Sequence, residues 1–261
     1  MGELSPSRIN NKTSRKVEKE YLNKEVKNYN GNKTKIVKDF LSKDTLEKSG
    51  IILSNKQQEY YKTIRNNILT VTQGPAGTSK TFVACYTALS LLIDGKINKI
   101  IITKPIQESG ENLGFLPGTV EEKTEPYLQS YKSNFLKIIT PEIYNHLVLS
   151  GLIKFEAIAY MRGLTFDNCI MLLDEAQNLT IKQLMLWVTR VGKDSKAILM
   201  GDVSQYDIKK GDVKLTDFIN KILKGVKNTA SFEFTKGDIV RNPVLIQIVD
   251  NYEKYREDNK L

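Results

Sequence analysis

A mostly parallel β-sheet flanked by helices, an α/β fold, is what this sequence predicts, and three observations carry that reading. From Leu53 onward, short β-branched or aliphatic runs alternate with longer segments of helical period, the pattern of βαβ units. A glycine-rich turn at Gly74 to Thr81 follows one of these runs and opens a helical stretch. A further run, Ile170-Met171-Leu172-Leu173, is continuously apolar and ends in Asp174-Glu175, as a parallel strand buried on both faces does when its carboxyl tip carries chemistry. With 261 residues and 40% apolar content, the chain has the material for a substantial core.

The strand candidates, in order, are Leu69–Thr72, Lys99–Thr103, Ile153–Glu156, Cys169–Leu173, Ala197–Met200 and Ser231–Phe234, enough for a full open sheet. Helices are expected at about 56–66, 80–93, 180–191, 214–224 and 242–257, the last beginning beside Asn242-Pro243, where proline suits a first turn. The stretch from Gly110 to His146 holds Gly114, Pro117, Gly118, Pro126 and Pro141, which predicts a long excursion from the sheet rather than one more crossover helix. The domain reading is therefore an arm at 1–48 and an α/β domain at 49–261 with an insertion at about 106–148, a candidate binding surface.

Charge and cysteine usage narrow the setting. The formal net charge is +9, and residues 1–48 hold 12 Lys or Arg against 7 Asp or Glu. That arm is rich in Lys, Asn, Ser and Glu and thin in apolar residues, so partial disorder is expected. Excess positive charge attracts phosphate backbones and makes nucleic acid a reasonable partner, although lysine-rich surfaces also serve solubility alone. Cys85 and Cys169 lie in apolar surroundings and give no metal-ligand pattern, and His146 is the single histidine, which argues against a zinc site or a Ser-His-Asp triad. The N-terminus lacks the apolar core of a signal peptide, and no apolar run reaches the ~18 residues a membrane helix needs, so a cytoplasmic location without a membrane partner is expected.

The turn Gly74-Pro75-Ala76-Gly77-Thr78-Ser79-Lys80-Thr81 has the spacing of a loop that wraps phosphates in backbone N–H groups, with ATP and Mg²⁺ the expected ligands. Lys80 is expected to reach the β and γ phosphates and Thr81 to place its hydroxyl on Mg²⁺. Ser79 stands where glycine is usual. If the backbone there adopts a positive φ, serine costs about 1–2 kcal/mol and slows turnover or weakens binding.

Asp174 is expected to hold Mg²⁺ through its water shell and Glu175 to polarise the water that attacks the γ-phosphorus. Gly201-Asp202-Val203-Ser204-Gln205 follows the next strand, so its polar groups should emerge at the same carboxyl edge, with Gln205 the candidate γ-phosphate sensor; a turn with an Asp cap is the plainer reading. Arg162 and Arg241 are candidate cations for the transferring phosphate, in their own subunit or a neighbour's, and each equally suits a surface salt bridge. Gln57 and Tyr60 precede the first strand, Gln57 offering an amide to the adenine edge and Tyr60 a stacking face, though Tyr60 equally suits the core.

Together these residues resemble the PhoH-like family, phosphate-starvation-inducible ATPases related to the motor domains of superfamily 1 helicases. The resemblance runs from about Gln57 to Tyr255. It rests on Gly74–Thr78, Gly114-Phe115-Leu116-Pro117-Gly118 with Glu122-Lys123 and Pro126-Tyr127, Ala159–Gly163, Leu173–Asn178, Gly201-Asp202 with Gln205 and Asp207, and Asp238–Arg241. It implies a single RecA-like P-loop motor domain, ATP hydrolysis, a role in RNA metabolism and ring-shaped assembly. With one such domain present, an arginine from a neighbouring subunit would complete the site, so a homo-oligomer is expected, a hexamer being one form it could take. The short Asn- and Lys-rich chain suits a compact phage-type member.

Three functional readings follow. The first is a nucleic-acid-coupled ATPase whose RNA or single-stranded DNA crosses the insertion and the arm, with phosphate contacts from Lys104 and Lys123 and stacking on Phe115 or Tyr127. The second is a phosphotransferase, against which Glu175, suited to activating water, stands. The third is an ATP-controlled oligomeric binding module with little hydrolysis, motivated by Ser79.

Overall fold

The computed structural model describes residues 41–105, 129–202, 215–240 and 244–259. Its centre is a six-stranded sheet of β1 (Leu69–Gln73), β2 (Lys99–Thr103), β3 (Ile153–Phe155), β4 (Cys169–Leu173), β5 (Lys196–Gly201) and β6 (Thr229–Glu233), in the spatial order β3-β2-β4-β5-β1-β6. Every pairing is parallel, so all strands point their carboxyl ends at one edge of the sheet. All six predicted strands are present within two residues of their expected bounds.

Parallel strands covered on both faces bury alternate side chains into two separate cores. Ile100 and Ile102, Ile170 and Leu172, and Ile198 and Met200 face one apolar layer with Ala88 and Leu89. Ile101, Met171, Leu173 and Leu199 face the other, with Leu184 and Trp187. Trp187, fully buried, satisfies its indole by donating Nε1–H to Thr103 Oγ1 at 3.0 Å.

Three helices begin where a hydroxyl accepts a hydrogen bond from the first turn. In α2 (Asn55–Asn66), which follows α1 (Lys43–Lys48), Ser54 and Gln57 form a reciprocal capping box. The long helix after the glycine-rich turn is α3 (Lys80–Ile93). Residues 129–135 form α4, and α5 (Pro141–Leu149) starts from a Thr140 cap with proline in its first turn. Thr180 and Gln183 box the start of α6 (Ile181–Val188), and α7 (Leu215–Asp217) runs into a π turn at Phe218–Ile222. The last helix, α8, is Val244–Asn259.

Two expectations change. Residues 129–149 are built into the domain: Tyr131, Phe135, Ile138, Ile139, Tyr144 and Leu147 are all buried in the apolar layer that also holds Val83, Ala88 and Leu89 of α3. The apolar spacing of that segment is helical and Pro141 is a helix starter, so Pro141 marks no break from the domain, while Gly114, Pro117, Gly118 and Pro126 lie outside the described residues. Near the other end, Leu41 is buried in the same layer although it belongs to the segment read as an arm. Gly110 to Tyr127, including Phe115 and Lys123, lies outside the described residues.

Candidate functional site

The carboxyl edge of the sheet opens into a cleft of about 490 Å³ lined by residues that follow four strands and by the far side of α4. From β1 come Ala76, Gly77, Ser79, Lys80 and Thr81; from β2, Lys104; from β4, Asp174 and Glu175; from β5, Gly201 and Asp202. Ser130, Asn134, Lys137 and Val240 complete the wall.

The turn after β1 is held under strain. Gly74 sits at φ 145°, and a Cβ there would meet the Phe234 carbonyl oxygen at 2.6 Å, so only glycine fits. Ser79 has φ 66° and ψ 24°, the left-handed conformation, and its side chain makes no cap hydrogen bond to α3. Lys80 donates from Nζ to the carbonyl oxygens of Gly74 at 2.6 Å and Pro75 at 2.9 Å, while Thr78 Oγ1 donates to Pro75 at 3.0 Å. The lysine thus reaches back across its own loop. The Val240 amide donates to the Gly77 carbonyl at 3.2 Å, pinning the chain just before Arg241 against the same loop.

Thr81 and Asp174 come from elements 93 residues apart, yet Thr81 Oγ1 donates to Asp174 Oδ2 at 2.9 Å. The Glu175 amide donates to Asp174 Oδ1 at 3.0 Å. Burial raises the Asp174 carboxyl above its ordinary range, as does the neighbouring Glu175 charge; the Thr81 hydroxyl, the Glu175 amide and the Lys104 charge act the other way. A hydroxyl and a buried carboxylate on adjoining oxygens are the hard donor set that suits Mg²⁺.

Glu175 is itself left-handed, at φ 57° and ψ 37°, which turns the chain sharply after β4. Its carboxylate accepts from Gln177 Nε2 at 2.8 Å, and Gln177 Oε1 accepts from the Asp202 amide at 3.1 Å. Gln177, only 2% exposed, therefore ties the acid after β4 to the loop after β5. Gly201 makes room for that tie, because a Cβ there would lie 2.9 Å from Gln177 Oε1. Sequence reading quoted Gln177 only as part of a motif; the signal available was its position two residues past the acid, facing the same edge.

The expected site residues divide cleanly. The loop Gly74 to Thr81, Asp174 and Glu175 come together. Gln205 and Arg241 lie outside the described residues. Arg162 is exposed on the turn after Ile158–Tyr160 and does not line the cleft. Gln57 is buried and commits its amide oxygen to the Ser54 N–H at 3.0 Å as a helix cap. Tyr60 is fully buried, packed against Phe232 and Phe234 with ring centroids at 5.0 and 5.3 Å, and burial raises its phenol far above the ordinary range. It is a core residue between α2 and β6, where no base can stack on it. Lys104, expected on a nucleic-acid path, lines the cleft beside Asp174.

Sequence comparisons agree with this architecture. The family model described as PhoH-like protein matches residues 51–253. A PhoH-like protein of Bacillus subtilis (strain 168) is 38% identical over 214 residues, covering 82% of this chain and 67% of that protein. A PhoH-like protein of Mycobacterium bovis is 36% identical, covering 84% of this chain and 63% of that protein. Protein PhoH of Escherichia coli (strain K12) is 31% identical, covering 81% of this chain and 61% of that protein. The chain thus spans about two thirds of the length of these relatives. Among solved structures, the Pif1 helicase from Candida albicans aligns with 71% of this chain and 40% of that chain, at 18% identity and a TM-score of 0.36. With an all-parallel sheet, a phosphate-type loop at its carboxyl edge and a family model matched across the whole domain, the chain is a P-loop NTPase fold and belongs to the PhoH-like family.

Proposed function

We propose that this protein hydrolyses ATP with Mg²⁺ and couples the reaction to single-stranded nucleic acid, RNA or DNA. The observation that carries the reading is the 2.9 Å contact between Thr81 and Asp174, in one cleft with Lys80 and Glu175. Thr81 and Asp174 are the residues that would hold Mg²⁺, which when bound neutralises charge on the terminal phosphates. Lys80 exchanges its two carbonyl acceptors for phosphate oxygens, releasing the loop to wrap the triphosphate. Glu175, held in orientation by Gln177, accepts a proton from water as the water oxygen bonds to the γ-phosphorus; the bond to the β,γ-bridging oxygen breaks and ADP leaves. Gln205 and Arg241, which follow the cleft residues Asp202 and Val240 in the sequence, are proposed to sense and neutralise the γ-phosphate.

The net charge of +9 supports a nucleic-acid partner. Among the described residues no helix is long and apolar enough to cross a membrane. A homo-oligomer, a hexamer in the first instance, is the companion proposal, with exposed Arg162 available to a neighbouring copy. The strained Ser79 supports one second reading, an ATP-controlled assembly module with slow turnover.

The test is release of inorganic phosphate from Mg·ATP, with and without single-stranded RNA or DNA, for wild type, Lys80→Ala and Glu175→Gln. Turnover lost in both variants and raised by the oligonucleotide is the expected result. An unchanged rate at saturating oligonucleotide and low salt removes the coupling, and transfer of labelled phosphate to an acceptor makes the protein a phosphotransferase. Tight binding without turnover in every sample selects the assembly module.

A further inference from the structure

The nucleotide cleft has a second wall that no part of the phosphate loop supplies. β2 and β4 are adjacent parallel strands in which Thr103 pairs with Leu173, and the Asp174 amide approaches the Thr103 carbonyl at 3.4 Å. Lys104, the next residue along β2, therefore emerges beside Asp174, and it lines the cleft. It forms no salt bridge with any described residue, and its charge acts on the Asp174 carboxyl. From α4 and the turn after it, Ser130 and Lys137 line the same cleft. The Ser130 hydroxyl is buried and has no hydrogen-bond partner among the described residues, an unmet donor on a residue that lines the cleft.

Charge explains why such a wall is needed. The cleft carries three carboxylates, Asp174, Glu175 and Asp202, and from the phosphate loop a single cation, Lys80. A triphosphate entering that arrangement alone would meet net negative charge. Among the described residues, Lys104 and Lys137 bring the lining to three cations against three acids before any metal enters.

We propose that Lys104, seconded by Lys137 and the Ser130 hydroxyl, forms a terminal-phosphate subsite inside the chain and is the cis cation that stabilises the transferring γ-phosphoryl group, ahead of any residue a neighbouring copy adds. The inference rests on the nucleotide reading of the cleft. It moves Lys104 from a nucleic-acid contact to the phosphate chemistry and gives the buried Ser130 hydroxyl its acceptor.

The test compares wild type, Lys104→Ala, Lys104→Arg and Ser130→Ala in the full chain. Binding is measured for Mg·ADP, for Mg·ATP and for Mg·ADP with aluminium fluoride, a mimic of the transferring group, and turnover is measured alongside. Lys104→Ala should bind Mg·ADP like wild type, lose the extra affinity for the aluminium fluoride complex, and drop kcat by about 10²-fold with KM for ATP changed less than about threefold. Lys104→Arg should restore most of the loss, and Ser130→Ala should lose a smaller part of the affinity for the mimic. Affinity for single-stranded RNA should be unaltered in Lys104→Ala. A variant that keeps wild-type kcat and mimic affinity but loses RNA affinity overturns the proposal and returns Lys104 to the nucleic-acid path. If wild type binds Mg·ATP but turns over nothing, the hydrolysis reading fails, while the preference of wild type for the aluminium fluoride complex over Mg·ADP, kept or lost in Lys104→Ala, still decides the subsite. Equal affinity of wild type for ADP, ATP and the mimic overturns the subsite outright.

Discussion

Replacing Ser79 by glycine should stabilise the protein and speed its nucleotide cycle, because Ser79 occupies the left-handed region at φ 66° with nothing visible to offset it. A residue with a Cβ costs about 1–2 kcal/mol there. The side chain makes no cap hydrogen bond to α3, so the substitution removes no contact of that kind. Against the relief stands the larger conformational freedom of glycine in the unfolded chain, worth about 0.4–1 kcal/mol. The difference leaves a net gain of roughly 0.5–1 kcal/mol, and a domain of this size converts that into a Tm rise of about 1–4 °C. Differential scanning calorimetry of wild type and Ser79→Gly, each without nucleotide, reads the shift directly. Parallel phosphate-release assays read whether the loop, once relaxed, accepts the triphosphate faster. A Tm that falls in Ser79→Gly would show that the serine makes a stabilising contact that outweighs its backbone strain, and the strain argument would be wrong. A Tm that rises with turnover unchanged would keep the strain argument and remove the serine as a brake.

Three further outcomes follow from the same geometry. Gly74→Ala drives a methyl group to within 2.6 Å of the Phe234 carbonyl oxygen at a φ that side chains avoid, and should cost about 3 kcal/mol, a Tm loss of roughly 6–12 °C by calorimetry. Asp174 titrates upward in the folded state, so the folded protein holds that proton over a pH window where the unfolded chain has released it; stability from this group is present at low pH and is lost as pH rises through the folded value. Asp174→Asn should therefore raise the metal-free Tm more at pH 8 than at pH 4, and should abolish the stabilisation that added Mg²⁺ gives wild type at pH 8. Gln177→Leu keeps the volume but leaves the Glu175 carboxylate and the Asp202 amide without their shared partner, so kcat should fall on the order of tenfold or more while the Kd for ATP holds, as stopped-flow binding and steady-state assays would show.

The sheet was legible because its information is local. Each strand is a short run of apolar residues, and parallel strands covered on both faces need no alternation that a single face would impose; Ile100, Ile101 and Ile102 are the clearest case. β6 was read two residues late because its start, Thr229-Ala230, is only half-buried at the sheet edge and carries little apolar signal. The buried helices at 129–149 were missed because their burial depends on joining the apolar layer shared with α3 and the sheet, contacts across the chain that sequence spacing alone does not name.

The candidate site divides along the same line. By itself the sequence pointed to the loop Gly74 to Thr81 and the acids Asp174 and Glu175 as candidates, since each is a contiguous motif read from spacing along one chain segment. The tertiary structure alone decided the rest. It placed Tyr60 in the core, Gln177 between two loops and Lys104 in the cleft beside Asp174. Those assignments depend on which strand ends lie side by side. That order, β2 next to β4 and β4 next to β5, follows from packing two apolar layers against one sheet and is written in no single stretch of the chain.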